Sequence, residues 1–313
     1  MRNGKVKVKV PASTANLGPG FDTIGMAFQL YTTLVLEVAD ATEIRLHGPN
    51  LSGIPMDKSN LIYQLAARVF EKAGLAVPEL TMDVTSDIPL TRGLGSSASA
   101  IVGALIAANE LAGKPFTTDE LYEIATEEEG HPDNVGASFF GGIVVALMDA
   151  GRVPYVRLPV PEHLEAIAVI PEFMLSTEKA RGVLPSMYSR QDVVYTSSHT
   201  GVLVGALATG NLRLLHTAMK DVLHQPYRVS LVPGLEKILA EAHEHGAIGA
   251  ALSGAGPTII ALIDRRNPTD ELKSFMVGTL AEHGIGCTVV HLVPDEAGAQ
   301  VEHCFSGVTE QRS

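Results

Sequence analysis

The most informative part of the sequence reads Pro89-Leu90-Thr91-Arg92-Gly93-Leu94-Gly95-Ser96-Ser97-Ala98-Ser99-Ala100. It is a glycine-rich turn that leads directly into an apolar helix, predicted over residues 98–111. Such a junction points several backbone N–H groups and the positive end of the helix dipole at one spot, which suits a phosphate chain. Gly93 and Gly95 let the backbone approach an anion closely. Ser96 and Ser97 add hydroxyls that can cap the helix, meet a phosphate oxygen or help to hold Mg²⁺.

Two better-known motifs are excluded at this position. A Walker A loop requires a lysine after its last glycine, and Ser96 follows Gly95 here. A nucleophile elbow requires the Gly-x-Ser-x-Gly frame, which Ser97 lacks. The two remaining interpretations are a phosphate-binding loop and a plain turn that caps a buried helix.

Composition indicates a globular protein of two domains. The chain has 313 residues, 46% of them hydrophobic and 19% charged, with a net charge of −12. No basic stripe is present, which argues against nucleic acid or an anionic membrane as the main partner. Cys287 and Cys304 have no metal-binding or redox spacing, and the sequence shows neither a signal peptide nor an apolar run long enough to span a membrane. We therefore expect reduced thiols and a cytoplasmic location.

The order of predicted elements favours an α+β fold, with helices layered against antiparallel sheet. Turn residues around Asp149-Ala150-Gly151 suggest a boundary between an N-terminal domain of residues 1–150 and a C-terminal domain of residues 151–313. The Gly/Pro-rich residues 11–25 are predicted to form a loop between two strands. A helix is predicted over residues 60–72, with Ser59 as its cap. The last ten residues or so are expected to be loose.

Two further segments are rich in glycine and small residues. The first follows the first predicted strand and reads Pro11-Ala12-Ser13-Thr14-Ala15-Asn16-Leu17-Gly18-Pro19-Gly20-Phe21-Asp22. The second lies in the final third and reads Gly249-Ala250-Ala251-Leu252-Ser253-Gly254-Ala255-Gly256-Pro257-Thr258. Taken singly, the first is an ordinary Pro/Gly loop and the second a tight turn between buried strands.

In this order and at this spacing, the three segments closely resemble the three motifs of the GHMP kinases. The resemblance extends over nearly the whole chain. It implies a two-domain kinase that uses ATP and Mg²⁺, with its active site between the halves. The N-terminal half is then expected to have the ribosomal protein S5 domain 2-like fold and the C-terminal half a ferredoxin-like fold.

Three strings point to one branch of the family. They are the complete first motif, the string Glu129-Gly130-His131-Pro132-Asp133-Asn134, and the string Gln225-Pro226-Tyr227-Arg228. They are similar to the branch that phosphorylates the side-chain hydroxyl of L-homoserine during threonine biosynthesis. Two alternatives remain at this point: a kinase for another small alcohol, of the mevalonate type, and a catalytically inactive relative that binds a ligand. A homodimer is compatible with the family.

The resemblance implies a nucleotide site centred on the glycine-rich turn. Gly93, Gly95, Ser96 and Ser97 would cradle the ATP phosphates, and Asn60 would lie near the base or ribose. Ser97 and Glu129 are the expected Mg²⁺ ligands, since Mg²⁺ usually takes few protein ligands besides phosphate oxygens. The predicted nucleotide-binding residues are Asn60, Pro89, Leu90, Thr91, Arg92, Gly93, Leu94, Gly95, Ser96, Ser97, Ala98 and Ser99.

The expected substrate is a zwitterion with a hydroxyl group. Its carboxylate calls for arginine, whose guanidinium binds carboxylates bidentately, and Arg181 and Arg228 stand in the family's substrate positions. Its ammonium calls for a carboxylate, a role that suits Asp22. The same resemblance places Asn16, His131 and Thr177 in the pocket.

The expected reaction is direct in-line transfer of the γ-phosphoryl group, with catalysis mostly by positioning and charge neutralisation. Asp133, Asn134 and Arg181 are predicted to lie at the reacting groups. Asn134 stands where mevalonate-type relatives place an aspartate, and an amide cannot accept a proton at neutral pH. Asp133 is adjacent. The working hypothesis is that no side chain is obligatory as a base.

Overall fold

The computed structural model describes residues 4–48, 51 and 53–304. Its strands, in chain order, are β1 (Lys5–Asn16), β2 (Gly20–Ala39), β3 (Glu43–His47), β4 (Glu79–Ser86), β5 (Ile143–Ala146), β6 (Tyr155–Leu158), β7 (Leu164–Pro171), β8 (Gly249–Leu252), β9 (Ile259–Asp264), β10 (Cys287–Leu292) and β11 (Gln300–Cys304). Its α-helices are α1 (Leu61–Lys72), α2 (Ser96–Leu111), α3 (Thr118–Glu129), α4 (Pro132–Phe140), α5 (Thr177–Gly182), α6 (Arg190–Thr209), α7 (Leu215–Ala218), α8 (Gln225–Arg228), α9 (Leu235–Glu241) and α10 (Asp270–Glu282).

The first sheet has the order β11-β1-β2-β4-β3, with β5 on β2 and β6 on β5. Neighbouring strands in this sheet are antiparallel except for β3 and β4, which are parallel and are connected in the chain through α1. Alternating valines of β1, at positions 6, 8 and 10, enter a core shared with α1, α2 and α3. The expected α+β class is therefore confirmed.

The predicted loop over residues 11–25 is wrong. β1 continues through Asn16 and β2 begins at Gly20, so only a short turn separates them. The pairing shifts register at Pro11/Ala12 and again at Ala15/Asn16, and these irregularities accommodate the proline and glycine residues. The turn therefore lies at the end of a long hairpin.

Helices α1 to α4 cover the first sheet. α1 is capped by Asn60, whose side chain accepts a hydrogen bond from the Ile62 N–H at 2.9 Å. The prediction of Ser59 as the cap was wrong by one residue. α3 begins with a capping box formed by Thr117 and Glu120.

The second sheet is antiparallel, with the order β10-β7-β9-β8. For the chain sequence β7, helices, β8, β9, α10, β10, this is the strand order of a ferredoxin-like fold. One face packs on α9 and α10 through Ile167, Ile259, Leu235 and Met276. The other face belongs to a core that contains residues from both halves of the chain.

The sheets do not separate at residue 150, although the proposed domain division itself stays a prediction. β6 and β11 both follow that residue, yet both belong to the first sheet. No helix among the described residues has the length and apolarity needed to cross a membrane. The side chain of Cys304 lies outside the described residues, and the expected loose end falls largely on residues 305–313, which also lie outside them.

Candidate active site

The three glycine-rich segments meet at one point between the sheets. Ser253 donates to the Gly93 carbonyl at 2.5 Å, and the Thr258 N–H donates to the Arg92 carbonyl at 3.3 Å. Thr14 and Ser253 share a hydrogen bond of 2.8 Å between their hydroxyls. The β8–β9 turn thus supports the loop before α2.

At two positions of the loop before α2, neighbouring segments lie so close that only glycine fits. Gly93 has φ +80°, and a Cβ there would lie 2.2 Å from the Ser253 carbonyl oxygen. Gly95 has φ +70°, and a Cβ there would lie 2.2 Å from the Ser13 hydroxyl. Any larger residue would push the loop off the neighbouring motifs.

α2 begins without a side-chain cap. Its N-cap residue is Gly95, and no side chain accepts from the first N–H groups. Ser96 and Ser97 therefore do not cap the helix, which was one of the roles considered for them. The uncapped end of this 16-residue helix faces the cleft, and its N–H groups suit an anion.

Glu129 faces the same point from the opposite side. It is the last residue of α3, and Gly130, with φ +85°, turns the chain so that the carboxylate enters the cleft. Ser97 donates to Glu129 Oε2 at 2.9 Å. Burial raises the pKa of Glu129, opposed by the charge of His131 and the hydrogen bond from Ser97. Glu127 and Glu128 instead pair with Arg68.

A hydrogen-bonded chain follows at the start of α4. His131 Nδ1 and Asp133 Oδ1 are 2.6 Å apart, and the same oxygen accepts from the Asn134 N–H at 2.6 Å. Asn134 accepts from Ser13 at 2.9 Å. Burial lowers the pKa of His131, but the nearby carboxylates of Asp133 and Glu129 outweigh it and raise the pKa to about 9. His131 is therefore an imidazolium at neutral pH.

Arg181 and Asp22 form a bidentate ion pair at the mouth of the cleft. The two nitrogen–oxygen distances are 2.7 and 3.0 Å. Asp22 sits at φ +51° just after the β1–β2 turn, and its N–H donates to the Asn16 side chain. Arg181 comes from α5, whose first residue, Thr177, also lines the cleft.

Arg228 is held differently, because it is 1% exposed. Its Nε donates to the Ala180 carbonyl, and its Nη1 contacts the Gly254 carbonyl and His224 Nδ1, each at 3.0 Å. Burial, together with the charge of Arg181, lowers the pKa of Arg228 to about 10. It stays protonated at neutral pH, with its guanidinium fixed at the cleft wall.

The structure brings most of the predicted site residues into one cleft: Asn16, Asp22, Thr91, Gly93, Gly95, Ser96, Ser97, Glu129, His131, Asp133, Asn134, Thr177, Arg181 and Arg228. The other predicted residues lie behind or away from its lining: Asn60, Pro89, Leu90, Arg92, Leu94, Ala98 and Ser99.

The residues behind the lining support the loop. Arg92 donates to the carbonyls of Pro171 and Glu172 at the end of β7. Leu94 is buried in the core shared by the two halves, and Ser99 hydrogen-bonds to Thr32. Asn60 is 1% exposed and is engaged as the cap of α1.

Two groups of side chains offer oxygen or nitrogen ligands for a cation. Asp22, His131 and Asp133 each bring a ligand atom within 4.8 Å of the others. However, Asp22 already pairs with Arg181, and Asp133 pairs with a protonated His131, so their charges are compensated. Ser97 and Glu129 fit Mg²⁺ better, because they offer two oxygen ligands beside an anion site and Glu129 is partly desolvated.

Sequence reasoning missed two members of the site. The Phe21 ring lies 5.4 Å from the Arg181 guanidinium and 5.5 Å from that of Arg228. His224 also stacks on Phe21, with ring centroids 5.1 Å apart. Phe21 lies within the first quoted segment and His224 directly precedes the string that begins at Gln225, but only the fold shows that they touch.

Comparisons with known proteins agree with this arrangement. Residues 60–142 match the family described as GHMP kinases N terminal domain, and residues 203–280 match GHMP kinases C terminal. The chain is 46% identical over 296 residues to a homoserine kinase from Deinococcus radiodurans, covering 95% of this chain and 96% of that one. It is 44% identical to a homoserine kinase from Desulfitobacterium hafniense, with 95% and 99% covered.

A solved structure titled as the homoserine kinase from Cytophaga hutchinsonii is also similar, with a TM-score of 0.85 and 28% identity over 96% of this chain and 98% of that one.

Proposed function

The chain belongs to the GHMP kinase family, and on that premise we propose that it catalyses phosphorylation of L-homoserine by ATP. The products are O-phospho-L-homoserine and ADP. As a member of this family, the chain is a phosphotransferase that acts on an alcohol group. The relatives at 40–46% identity are homoserine kinases over nearly their full length, which supports this substrate.

One observation carries the proposal. A single cleft joins the uncapped start of α2 and the Ser97–Glu129 pair to an arginine–aspartate pair with a second, buried arginine beside it. The first part suits a nucleotide phosphate chain with its cation. The second part suits a small molecule with one carboxylate and one ammonium. Neither a sugar nor mevalonate has an ammonium for Asp22 to bind.

The nucleotide side uses backbone more than side chains. The N–H groups at the start of α2 would bind phosphate oxygens, and Gly93 and Gly95 would let those oxygens approach. Ser97 and Glu129 would hold Mg²⁺, which when bound supplies charge neutralisation for the phosphates. Asn60 is left without a direct role, because its amide is engaged in capping α1.

The substrate side exchanges one ion pair for another. In the free protein Arg181 and Asp22 neutralise each other. The carboxylate of homoserine would bind Arg181 and Arg228, and its ammonium would bind Asp22, so no charge is left unpaired in the complex. Asn16, His131 and Thr177 line the same space and complete the pocket.

In the transfer step, the γ-hydroxyl oxygen forms a bond to the γ-phosphorus while the bond to the β-phosphate oxygen breaks. The hydroxyl proton is released to solvent or to the phosphoryl oxygens. Asp133 Oδ1 is engaged by His131 and by the Asn134 N–H, which makes it a structural anion more than a proton acceptor. Positioning and electrostatic stabilisation account for the catalysis.

The cellular setting follows from the product. O-Phospho-L-homoserine is a precursor of threonine, so the reaction belongs to threonine biosynthesis. A cytoplasmic location fits the need for ATP and the absence of a membrane-crossing helix among the described residues. No nucleic acid or membrane partner is required, and a homodimer remains part of the proposal.

The test is ADP release by purified protein with Mg-ATP and a panel of alcohols: L-homoserine, D-homoserine, mevalonate, galactose, shikimate and L-threonine. We expect turnover with L-homoserine alone. Arg228→Ala and Asp22→Asn should each raise the KM for homoserine at least tenfold, because each removes a charged hydrogen-bond partner.

Glu178→Gln is the matched control for those variants, because it removes a negative charge at an exposed position next to Thr177. Turnover with another alcohol would refute the substrate but keep the kinase. ATP binding without any turnover would favour the inactive relative.

A further inference from the structure

We propose that His224 is a positioning residue that fixes the Arg228 guanidinium for the substrate carboxylate, and that it does so as a neutral imidazole protonated on Nε2. This inference rests on the proposed function, since it concerns how the same cleft recognises L-homoserine. His224 does not line the cleft; it lies behind it, fully buried.

The hydrogen bonds of His224 define its tautomer. Nε2 lies 2.8 Å from the Gly18 carbonyl oxygen, which only accepts, so Nε2 carries the proton. Nδ1 lies 3.0 Å from Arg228 Nη1, which only donates, so Nδ1 is the acceptor. A second proton on Nδ1 would face a guanidinium at hydrogen-bond distance.

The position of His224 is fixed through its backbone and through its ring. Its backbone N–H donates to Asp221, which also accepts from the Gln225 N–H and so caps α8. Its face stacks on Phe21. Gly18 lies in the β1–β2 turn and Phe21 at the start of β2, whereas Arg228 lies in α8. His224 therefore connects the first motif to the arginine across the cleft wall.

Arg228 depends on this contact. Its other hydrogen bonds go to two backbone carbonyls, those of Ala180 and Gly254. His224 is the side-chain acceptor among its described hydrogen bonds. Without an acceptor at the Nδ1 position, Nη1 keeps a single carbonyl partner, and the guanidinium is free to turn away from the carboxylate of the substrate.

Two substitutions separate the contacts of the two nitrogens. Asparagine places an amide oxygen near the Nδ1 position, so His224→Asn keeps the acceptor for Arg228 but loses the contact with Gly18. Glutamine places an amide nitrogen near the Nε2 position, so His224→Gln keeps the contact with Gly18 but puts a methylene beside Arg228. A purely structural role for His224 predicts no such split.

The experiment measures L-homoserine binding by calorimetry, together with KM, kcat and melting temperature. His224→Gln should raise the Kd and KM for homoserine at least tenfold, with the kcat at saturation and the KM for ATP within threefold of the unsubstituted protein. His224→Asn should change the homoserine Kd less than threefold, whatever its melting temperature. In an Arg228→Ala background, His224→Gln should add no further loss.

His283→Gln and His283→Asn, at the exposed end of α10, serve as matched controls. Equal effects of the two His224 substitutions on the homoserine Kd, or an additive loss with Arg228→Ala, would overturn the inference. If the unsubstituted protein neither binds nor phosphorylates homoserine, the proposed function fails instead, so the two failures are distinguishable. If His224→Gln does not fold, the homoserine Kd of His224→Asn decides the outcome: a rise of tenfold or more refutes the inference.

Discussion

At the scale of single residues, the side chain that could best serve as a catalytic base, Asp133, is already hydrogen-bonded within the protein. Asp133 is 1% exposed and pairs with a protonated His131. We therefore expect Asp133→Asn, which keeps the shape but not the charge, to retain measurable turnover with L-homoserine. The rate should fall by less than about 100-fold, the lower end of the 10²–10⁴-fold range typical for loss of general acid–base catalysis.

The measurement for Asp133 is single-turnover phosphoryl transfer, with ATP and homoserine binding determined separately. Asp133→Ala, which empties the position, is the harsher companion variant. Complete loss of turnover in both variants, with intact binding of both substrates, would make Asp133 the obligatory base and contradict the hypothesis.

Ser97 and Glu129 are expected to act through a shared cation. Ser97→Ala and Glu129→Gln should each raise the Mg²⁺ concentration needed for half-maximal activity and lower kcat about 10²-fold, in the range seen for loss of one electrostatic stabiliser. The double variant should lose much less than the product of the two single losses, because both act on one ion.

The control for the Mg²⁺ experiment is Glu128→Gln, one residue earlier on α3. Its carboxylate pairs with Arg68 instead of facing the cleft, so its removal should leave the Mg²⁺ dependence unchanged. Fully multiplicative effects of the Ser97 and Glu129 changes would argue that these residues do not share a ligand.

A pH dependence of stability follows from His224. Burial and the charge of Arg228 lower the pKa of His224, against the opposing effects of Asp221, the Gly18 carbonyl and Asp22. The unfolded state, with a pKa of about 6.5, therefore takes up a proton that the folded state refuses. The stabilisation is fully present above about pH 6.5 and is lost as the pH falls below it, by up to about 1.4 kcal/mol per pH unit.

Urea unfolding at pH 7.0 and pH 5.5 tests this dependence. The unsubstituted protein should lose more stability than His224→Asn, which has no group to titrate at this position. An equal loss in both proteins would mean that His224 takes up a proton as readily in the folded state as in the unfolded state. The acceptor proposed for Arg228 would then be lost at pH 5.5.

At the scale of elements, the fit between the glycine loop and the β8–β9 turn can be tested with one added carbon. A Cβ at Gly93 would lie 2.2 Å from a carbonyl oxygen, and backbone cannot move aside as a side chain can. Gly93→Ala should cost about 1–3 kcal/mol beyond the strain of its positive φ and should raise the KM for ATP.

Gly74→Ala is the matched control for that change. Gly74 also has a positive φ, +68°, but nothing lies within 4 Å of a Cβ placed there. It should therefore show only the backbone strain, with the KM for ATP unchanged. Identical losses of stability in the two variants, with normal ATP kinetics for Gly93→Ala, would contradict the close packing of the motifs.

Elements with clear periodicity or caps were predictable from sequence. The helix predicted over residues 60–72 corresponds to α1 and the one predicted over residues 98–111 to α2, because each is specified by its own residues. The hairpin of β1 and β2 could not be predicted in this way, because Pro11 and Gly20 normally interrupt strands. Only the register shifts of this pairing accommodate them. α4 and β11 were also missed: the start of α4 lay within a motif, and β11 depends on pairing with the opposite end of the chain.

In the site too, features specified by local sequence could be predicted, whereas contacts between distant parts of the chain could not. The loop before α2 and Glu129 could be found from local sequence and family resemblance. The Arg181–Asp22 pair joins residues 159 positions apart, and the contact of His224 with Gly18 spans 206 positions. Sequence spacing gives no indication of such contacts, which explains why His224 was not among the predicted site residues.

At the scale of the whole molecule, the two halves depend on each other. The first sheet includes β6 and β11 from beyond residue 150, and one apolar core joins residues such as Met26 and Phe28 to Ala168 and Ile260. An isolated fragment of residues 1–150 lacks two strands and leaves part of this core exposed. It should therefore show no cooperative unfolding transition, whatever its secondary structure content.

A protease site inserted between Ala150 and Gly151 gives the matched experiment. Both residues are exposed in a tight turn, so cutting there breaks one bond without removing a strand. The cut but unseparated protein should keep its melting temperature within a few degrees and its turnover with L-homoserine, because the shared sheet and core hold the pieces together. Cooperative unfolding of the 1–150 fragment alone would instead show that the two halves are independent domains, with β6 and β11 as dispensable additions to the first sheet.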